Sequence, residues 1–254
     1  AFVSSTYFNI GVGTSIWNYN LNDNYRSALS PADFSHTTGT SNVLQLGIEK
    51  RSSQLISFRA NISYEEVSFQ SGHNSNIVYR PADENSNQEN NFGLDMATPL
   101  GGVNTNIAVR RNQSNTADQE SLTIDLHNQH NYKNVDLSLS ILQHLYDNGR
   151  FNFNTEIGLG LNHMFDIKNN LTTVDISNSA YSIASIDASS TQADLNKTRA
   201  HMVLGINTGI STSDNVVINF SYLFKNDLSP IFSSGDFGTT LSRHQFVVSA
   251  KTRF

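Results

Sequence analysis

Apolar and polar residues alternate along most of this chain. In residues 6–19, Phe8, Ile10, Val12 and Ile16 share one face, and Asn9, Gly11, Gly13 and Ser15 share the other. Successive side chains of a β-strand point to opposite faces, so a period of two predicts a strand with one apolar side. The period recurs in residues 42–50, 55–65, 91–98, 104–112, 121–127, 135–141, 151–165, 196–211, 216–224 and 241–254, and more weakly over 171–186. Leu137, Ile141, Leu142 and Leu145 also fit a helical stripe, but the Asn148-Gly149 pair that follows is a tight-hairpin signal and decides for strand. The expectation is about twelve antiparallel strands, with ten to fourteen as the range. Polar stretches over residues 20–41, 69–91 and 226–240 read as long connections, and 51–54, 99–102, 131–134, 147–150, 168–170 and 213–215 read as short turns.

Alternation alone also describes a soluble sandwich, which buries its apolar face. Charges in mid-strand change the picture. Glu49, Arg59, Glu65, Asp95, Asp125, Glu156, Arg199, His201, Arg243, Lys251 and Arg253 all fall on polar faces, where they could pair across a narrow lumen. Several runs reach nine residues or more, enough to cross a bilayer, where a strand needs about 9 to 11 residues. A closed barrel is the β-solution that leaves no backbone group unpaired in lipid. The fold class expected is therefore all-β: a single transmembrane up-and-down antiparallel β-barrel over residues 1–254, with a polar lumen and an apolar lipid-facing exterior. A lectin-like or adhesin sandwich is the alternative, with the same charges on a solvated outer face.

An even strand number brings both ends of the chain to one side. The long connections after Tyr19, Glu65 and Phe224 then fall outside the cell, and the turns at Ser52, Gly101 and Asp214 fall on the periplasmic side. The turn at Asp147 is the exception, being short but external. Trp17 and Tyr19, at the far end of the first strand, are placed in an interfacial aromatic girdle.

Composition narrows the chemistry. The chain has no cysteine, so neither a disulfide nor a thiolate metal site is available. A formal net charge of -6 without a clustered basic patch gives no reason to expect nucleic acid. No spaced His/Glu cluster indicates a metal, and no cofactor is expected. Acidic Asp83, Glu84 and Glu89 in one long connection are read as a solvated loop. The chain opens on Ala1 without a visible signal peptide, as a mature protein would after cleavage.

The last strand, Leu-Ser-Arg-His-Gln-Phe-Val-Val-Ser-Ala-Lys-Thr-Arg-Phe, ends on Phe254 and resembles the closing strand of bacterial outer-membrane β-barrels. That resemblance implies a place in the outer membrane of a Gram-negative cell. A second, shorter resemblance lies in Gly72-His73-Asn74-Ser75-Asn76. His and Ser at i and i+2 share a face of an extended chain, as a nucleophile and its base must. This H-x-S-N stretch is similar to that of outer-membrane phospholipase A and the lipid A deacylases, where an Asn or Glu about twelve positions on orients the His. The resemblance implies Ser75 as nucleophile, His73 as base and Asn87 as orienter.

Three functions follow as expectations. The first is a passive pore or narrow channel for small solutes, with the lumen charges setting selectivity. The second is a lipid hydrolase using His73 and Ser75 at the outer leaflet. The third is a barrel without transport, serving as receptor, scaffold or subunit of an envelope complex. Outer-membrane lipid is a partner in all three, and other envelope proteins are partners in the third.

Overall fold

The computed structural model describes residues 4–21, 38–112, 118–191, 195–213, 215–234 and 237–253. Phe254 and Asp214, both used in the sequence reading, lie outside these, as does the stretch 22–37. Twelve strands occur among the described residues, with one short 3-10 turn at Pro81–Asp83. In chain order they are β1 (Ser5–Leu21), β2 (Thr38–Arg51), β3 (Ile56–Tyr79), β4 (Glu89–Thr98), β5 (Gly101–Arg111), β6 (Glu120–Asp147), β7 (Phe151–Ile176), β8 (Tyr181–Thr191), β9 (Thr198–Ser213), β10 (Val216–Asp227), β11 (Phe232–Ser234) and β12 (Phe237–Arg253).

Eight of the twelve close a ring: β1, β2, β3, β6, β7, β9, β10 and β12 pair in that order, and β12 pairs back to β1 from Tyr7↔Arg253 to Leu21↔Thr239. All pairings are antiparallel, so this is an up-and-down barrel. Strands β4, β5 and β8 form a separate three-stranded sheet. β11 adds a short pairing to β12.

The pleat sorts the side chains as the alternation predicts. Outward residues at mid-height are apolar on strand after strand: Ile10 and Val12, Leu44 to Ile48, Phe58 and Ile62, Leu137 to Ile141, Ile157 to Leu161, Leu204 and Ile206, Phe220, and Phe246 and Val248, all well exposed. A soluble protein cannot leave such a continuous belt in water. The belt is the lipid-facing surface of a membrane barrel, whose apolar band is about 25 Å tall. The membrane face ends near Tyr64 and Val135, above which outward residues turn polar: Glu66, Ser68 and Gln70 on β3, Lys133 and Gln129 on β6.

Several sequence boundaries move. β6 runs unbroken for 28 residues, through the turn expected at 131–134. β3 runs 24 residues, into the stretch read as irregular, and pairs with β6 up to Tyr79↔Glu120. β7 continues through 168–170, absorbing an irregularity at Asp166, a non-glycine residue at φ 50° where the register with β6 shifts. The 171–186 segment divides at residues 177–180 between β7 and β8. One physical cause covers all of these. Past the membrane a strand meets water outside and amides or hydroxyls inside, so the hydropathy contrast fades while the alternation of burial persists.

These extensions also correct the topology. With β6 continuous, the Asp147 turn lies at the same rim as the β2–β3 and β9–β10 turns and the ends of β1 and β12. All connections at that rim are short, which marks it as periplasmic. The β4–β5 turn at Pro99 and Leu100, expected there too, is at the opposite end.

Leu139, 63% exposed at the middle of the belt, and Leu145, 53% exposed beside the periplasmic turn, test the lipid assignment. Leu139→Arg should cost about 2–4 kcal/mol and Leu145→Arg about 1 kcal/mol or less, read from denaturant unfolding of the protein folded in lipid vesicles.

Candidate functional site: the barrel interior and its outer cap

An eight-stranded ring is just wide enough for inward side chains to fill. Burying a lone charge is costly, so each interior charge needs a partner. Among the described residues, five buried carboxylates (Glu49, Glu65, Asp136, Glu156, Asp227) face five buried cations (Arg59, Arg199, Lys225, Arg243, Lys251). The interior is thus charge-balanced.

The pairs form tiers. Nearest the periplasm, Glu49 is held by Arg59 at 2.9 Å and Lys251 at 2.6 Å, and Arg59 also reaches Glu156 at 2.8 Å. Asn207 ties the tier together by donating to Glu156 and accepting from Arg59. Above it, Asp136 receives Arg243 at 2.7 Å and Lys225 at 3.0 Å, with His201 Nε2 at 3.2 Å. Arg243 and Gln245 lean on Glu65. To one side, Arg199 pairs with Asp227 at 2.5 Å, and Asn162 Nδ2 donates to the same carboxylate. Gly160 makes room for this tier: a Cβ there would come within 2.4 Å of His201 Cε1.

Toward the outside the ions give way to an apolar layer. Trp17 marks the transition: its Nε1 donates to Ser41 and Glu65, and the Arg243 guanidinium sits 4.7 Å from its ring centroid. Trp17, Tyr19, Val67, Phe69, Tyr132, Met164 and Leu241 then pack with Leu100 from the β4–β5 turn and Ile231 from the connection after β10. Leu100 and Ile231 are both fully buried, so two connections dip into the outer mouth and stopper it. Trp17 and Tyr19 are therefore interior residues, not an interfacial girdle. Parity said so: they share the register of Asn9, Gly11 and Ser15.

Beyond the mouth, the upper parts of β3, β6 and β7 form a second wall. The β4–β5–β8 sheet packs against it through a core of Ile77, Tyr79, Leu94, Val103, Ile107, Val109, Leu122, Ile124, Leu126 and Tyr181. This is a β-sandwich head standing in the extracellular space. Arg111–Glu84 at 3.0 Å and Arg110–Glu89 at 2.5 Å staple its far end, so the acidic residues of the expected solvated loop are in part structural. Within the head, Tyr79 Oη donates to Glu84 at 3.1 Å, and burial together with that carboxylate pushes its phenol up to about 12.

Of the expected lumen residues, Glu49, Arg59, Glu65, Glu156, Arg199, His201, Arg243 and Lys251 do face the interior. Asp95 and Asp125 do not. Asp95 is exposed on β4, and Asp125 lies on the outward register of the β6 extension. Arg253 is exposed at the periplasmic rim. Not every strand belongs to the ring, nor every polar face to the lumen: β4 lies in the separate sheet and the strand extensions rise beyond the membrane. Asp136, Lys225 and Asp227 join the interior beyond the expected set; Asp136 shares its register with Asn134, Ser138 and Ser140, the signal that marks it. His73 and Ser75 sit half-buried on the inner face of the β3 extension, opposite Leu126 and Ile124. They stand nine residues or more past Tyr64, roughly 30 Å along the strand, and so are not at the lipid interface. Asn87 is exposed in the loop past Tyr79, its N–H donating to Asn85 Oδ1. That loop begins about 13 Å along the strand from Ser75. No cluster of three or more His, Asp or Glu suited to a metal occurs among the described residues.

Taken together, the closed ring, the lipid belt and the long-outside, short-inside connections define an integral outer-membrane β-barrel. No protein-family profile matches the chain, and no curated protein matches it. Solved structures similar to it in outline include Neisserial surface protein A (8% identity, TM-score 0.43, 97% of each chain covered). The outer membrane protein OprG from Pseudomonas aeruginosa (8%, 0.42, covering 98% of this chain and 96% of that one) and the outer membrane protease OmpT from Escherichia coli (7%, 0.41, 98% and 97%) are comparable.

Asp136 carries the heaviest load of pairing. Asp136→Ala takes Lys225's carboxylate away and leaves Arg243 only its longer contact with Glu65, and should destabilise the folded barrel by about 3–5 kcal/mol, whereas an exposed control, Asp187→Ala, should change it by less than about 0.5 kcal/mol. Unfolding in lipid vesicles or detergent checks both.

Proposed function

We propose that the protein is a non-conducting outer-membrane barrel whose working part is the extracellular head, a surface receptor or scaffold and not a pore. The observation that carries this reading is the stoppered mouth: Leu100 and Ile231 are seated among Trp17, Tyr19 and Tyr132 directly above the ion-pair tiers. A solute would have to displace the stopper and then break buried pairs such as Arg243–Asp136, which lose far more by separation than surface pairs do. The head gives the barrel something else to do. It carries a core of its own and is built on strands about 24 to 28 residues long, more than twice what the bilayer needs. The passive pore, the first expectation from the sequence, has the polar interior in its favour, but among the described residues the interior charges are buried in pairs below Leu100 and Ile231.

Planar-bilayer recording of refolded, heat-modifiable protein at two salt concentrations tests the reading. The expected result is no discrete current steps. Steps whose size scales with salt would overturn it in favour of a pore.

A further inference from the structure

Three neighbouring strands carry the same hydrogen-bonded side-chain set twice. Near the periplasmic rim, Ser57 Oγ on β3 lies 2.7 Å from His144 Nε2 on β6, and His144 Nδ1 lies 2.5 Å from Asn154 Oδ1 on β7. Near the outer mouth, Ser71 Oγ lies 2.7 Å from His130 Nε2, and His130 Nδ1 lies 2.8 Å from Asn169 Oδ1. Both are in the order nucleophile, base, orienter that activates a serine.

The two copies differ in ways that matter for chemistry. In the lower one, Asn154 Nδ2 donates to Asn152 Oδ1 at 3.0 Å, which turns the Asn154 carbonyl toward His144. His144 Nδ1 must then carry the proton and donate it, leaving Nε2 bare to accept from the Ser57 hydroxyl. In the upper copy, Asn169 Nδ2 has no partner, so nothing fixes that amide or the tautomer it imposes. His130 is fully buried and stacked on Phe69 at 4.5 Å. His144, by contrast, lines a cavity of about 200 Å³ open at the periplasmic mouth, together with Arg51, Lys251 and Asn152. Ser57 is fully covered. Directly opposite it on β2 is Arg51, which is bridged to Asp147 across the mouth by a partly exposed pair. Arg51 also donates to the carbonyls of Ser53 and Gln54 in the β2–β3 turn, so its movement breaks partly exposed contacts of that turn together with a pair that by itself contributes little.

We propose that Ser57, His144 and Asn154 form a serine hydrolase site at the periplasmic mouth, acting on small acyl esters once Arg51 swings aside. Ser57 Oγ attacks the ester carbonyl carbon as His144 Nε2 takes the hydroxyl proton. Collapse of the tetrahedral adduct breaks the carbon–oxygen bond to the alcohol, which leaves with the proton from His144. Water then attacks the acyl-serine by the same base, releasing the carboxylic acid and restoring Ser57. With Arg51 displaced, Lys251 on the same cavity wall is the cation available to the developing oxyanion.

The test uses folded protein in detergent, a small fluorophosphonate probe and p-nitrophenyl acetate, comparing wild type with Ser57→Ala, Ser71→Ala and Arg51→Ala. We expect one probe adduct per chain on the peptide holding Ser57, lost in Ser57→Ala and kept in Ser71→Ala. Arg51→Ala should label several-fold faster. Ester turnover should track Ser57, falling at least a hundredfold in Ser57→Ala. Labelling no greater than in heat-denatured protein, or labelling and turnover unchanged by Ser57→Ala, would overturn the proposal. Heat-modifiability on gels confirms that each variant is folded.

Discussion

The structure depends on one electrostatic constraint: charges enclosed by a narrow ring must be neutralised where they stand. Eight strands leave no wide aqueous lumen, so water cannot solvate Arg59, Arg243 or Asp136 as it would in a larger barrel. The solution is five carboxylates against five cations, arranged so that central groups serve several partners. Asp136 takes two cations and a histidine, and Glu49 takes two cations. Every one of the eight ring strands except β1 supplies a charged member, and β1 supplies Trp17, whose ring and N–H meet Arg243 and Glu65. The network thereby couples strands far apart in sequence.

The same constraint explains the outer end. An ion-filled interior left open to the medium would trade its pairs for water, and the apolar layer from Trp17 to Leu241 prevents that. Its completion needs side chains from outside the ring, which is what Leu100 and Ile231 provide. The β4–β5 hairpin is in turn held by the sandwich core of the head. Head, stopper and interior are thus one continuous piece of packing, although only the ring touches lipid.

The barrel was legible in the sequence because lipid on one side and packed polar side chains on the other impose a strict period of two. Residues 55–65 and 151–165 show it most cleanly, and both lie in the ring. The total of about twelve strands was legible as well; their division between ring and head was not. That division depends on which strands pair, and β6 joins β3 across forty residues of intervening chain, 80–119, a relation no local pattern carries. The eight expected residues that face the interior lie on ring strands with an apolar opposite face. Asp95 and Asp125 lie on a sheet or extension outside the membrane, where a polar face need not face the lumen. The Ser57, His144 and Asn154 set is illegible locally for the same reason: three strands contribute one residue each, and only their register unites them. His73 and Ser75, adjacent in sequence, were visible for the opposite reason.

The central claim is that the interior is packed and closed to solute, and cysteine accessibility tests it most directly. The chain has no cysteine of its own, so single replacements report without background. Ser63→Cys and Ser138→Cys place a thiol on the inner wall, and Ser68→Cys places one outside above the lipid belt. In protein refolded into vesicles, a charged, membrane-impermeant maleimide should modify Cys at 68 within minutes and leave those at 63 and 138 unmodified until the barrel is unfolded. Modification of the inner positions at a rate near that of position 68 would contradict the account and show an interior open to water and solute.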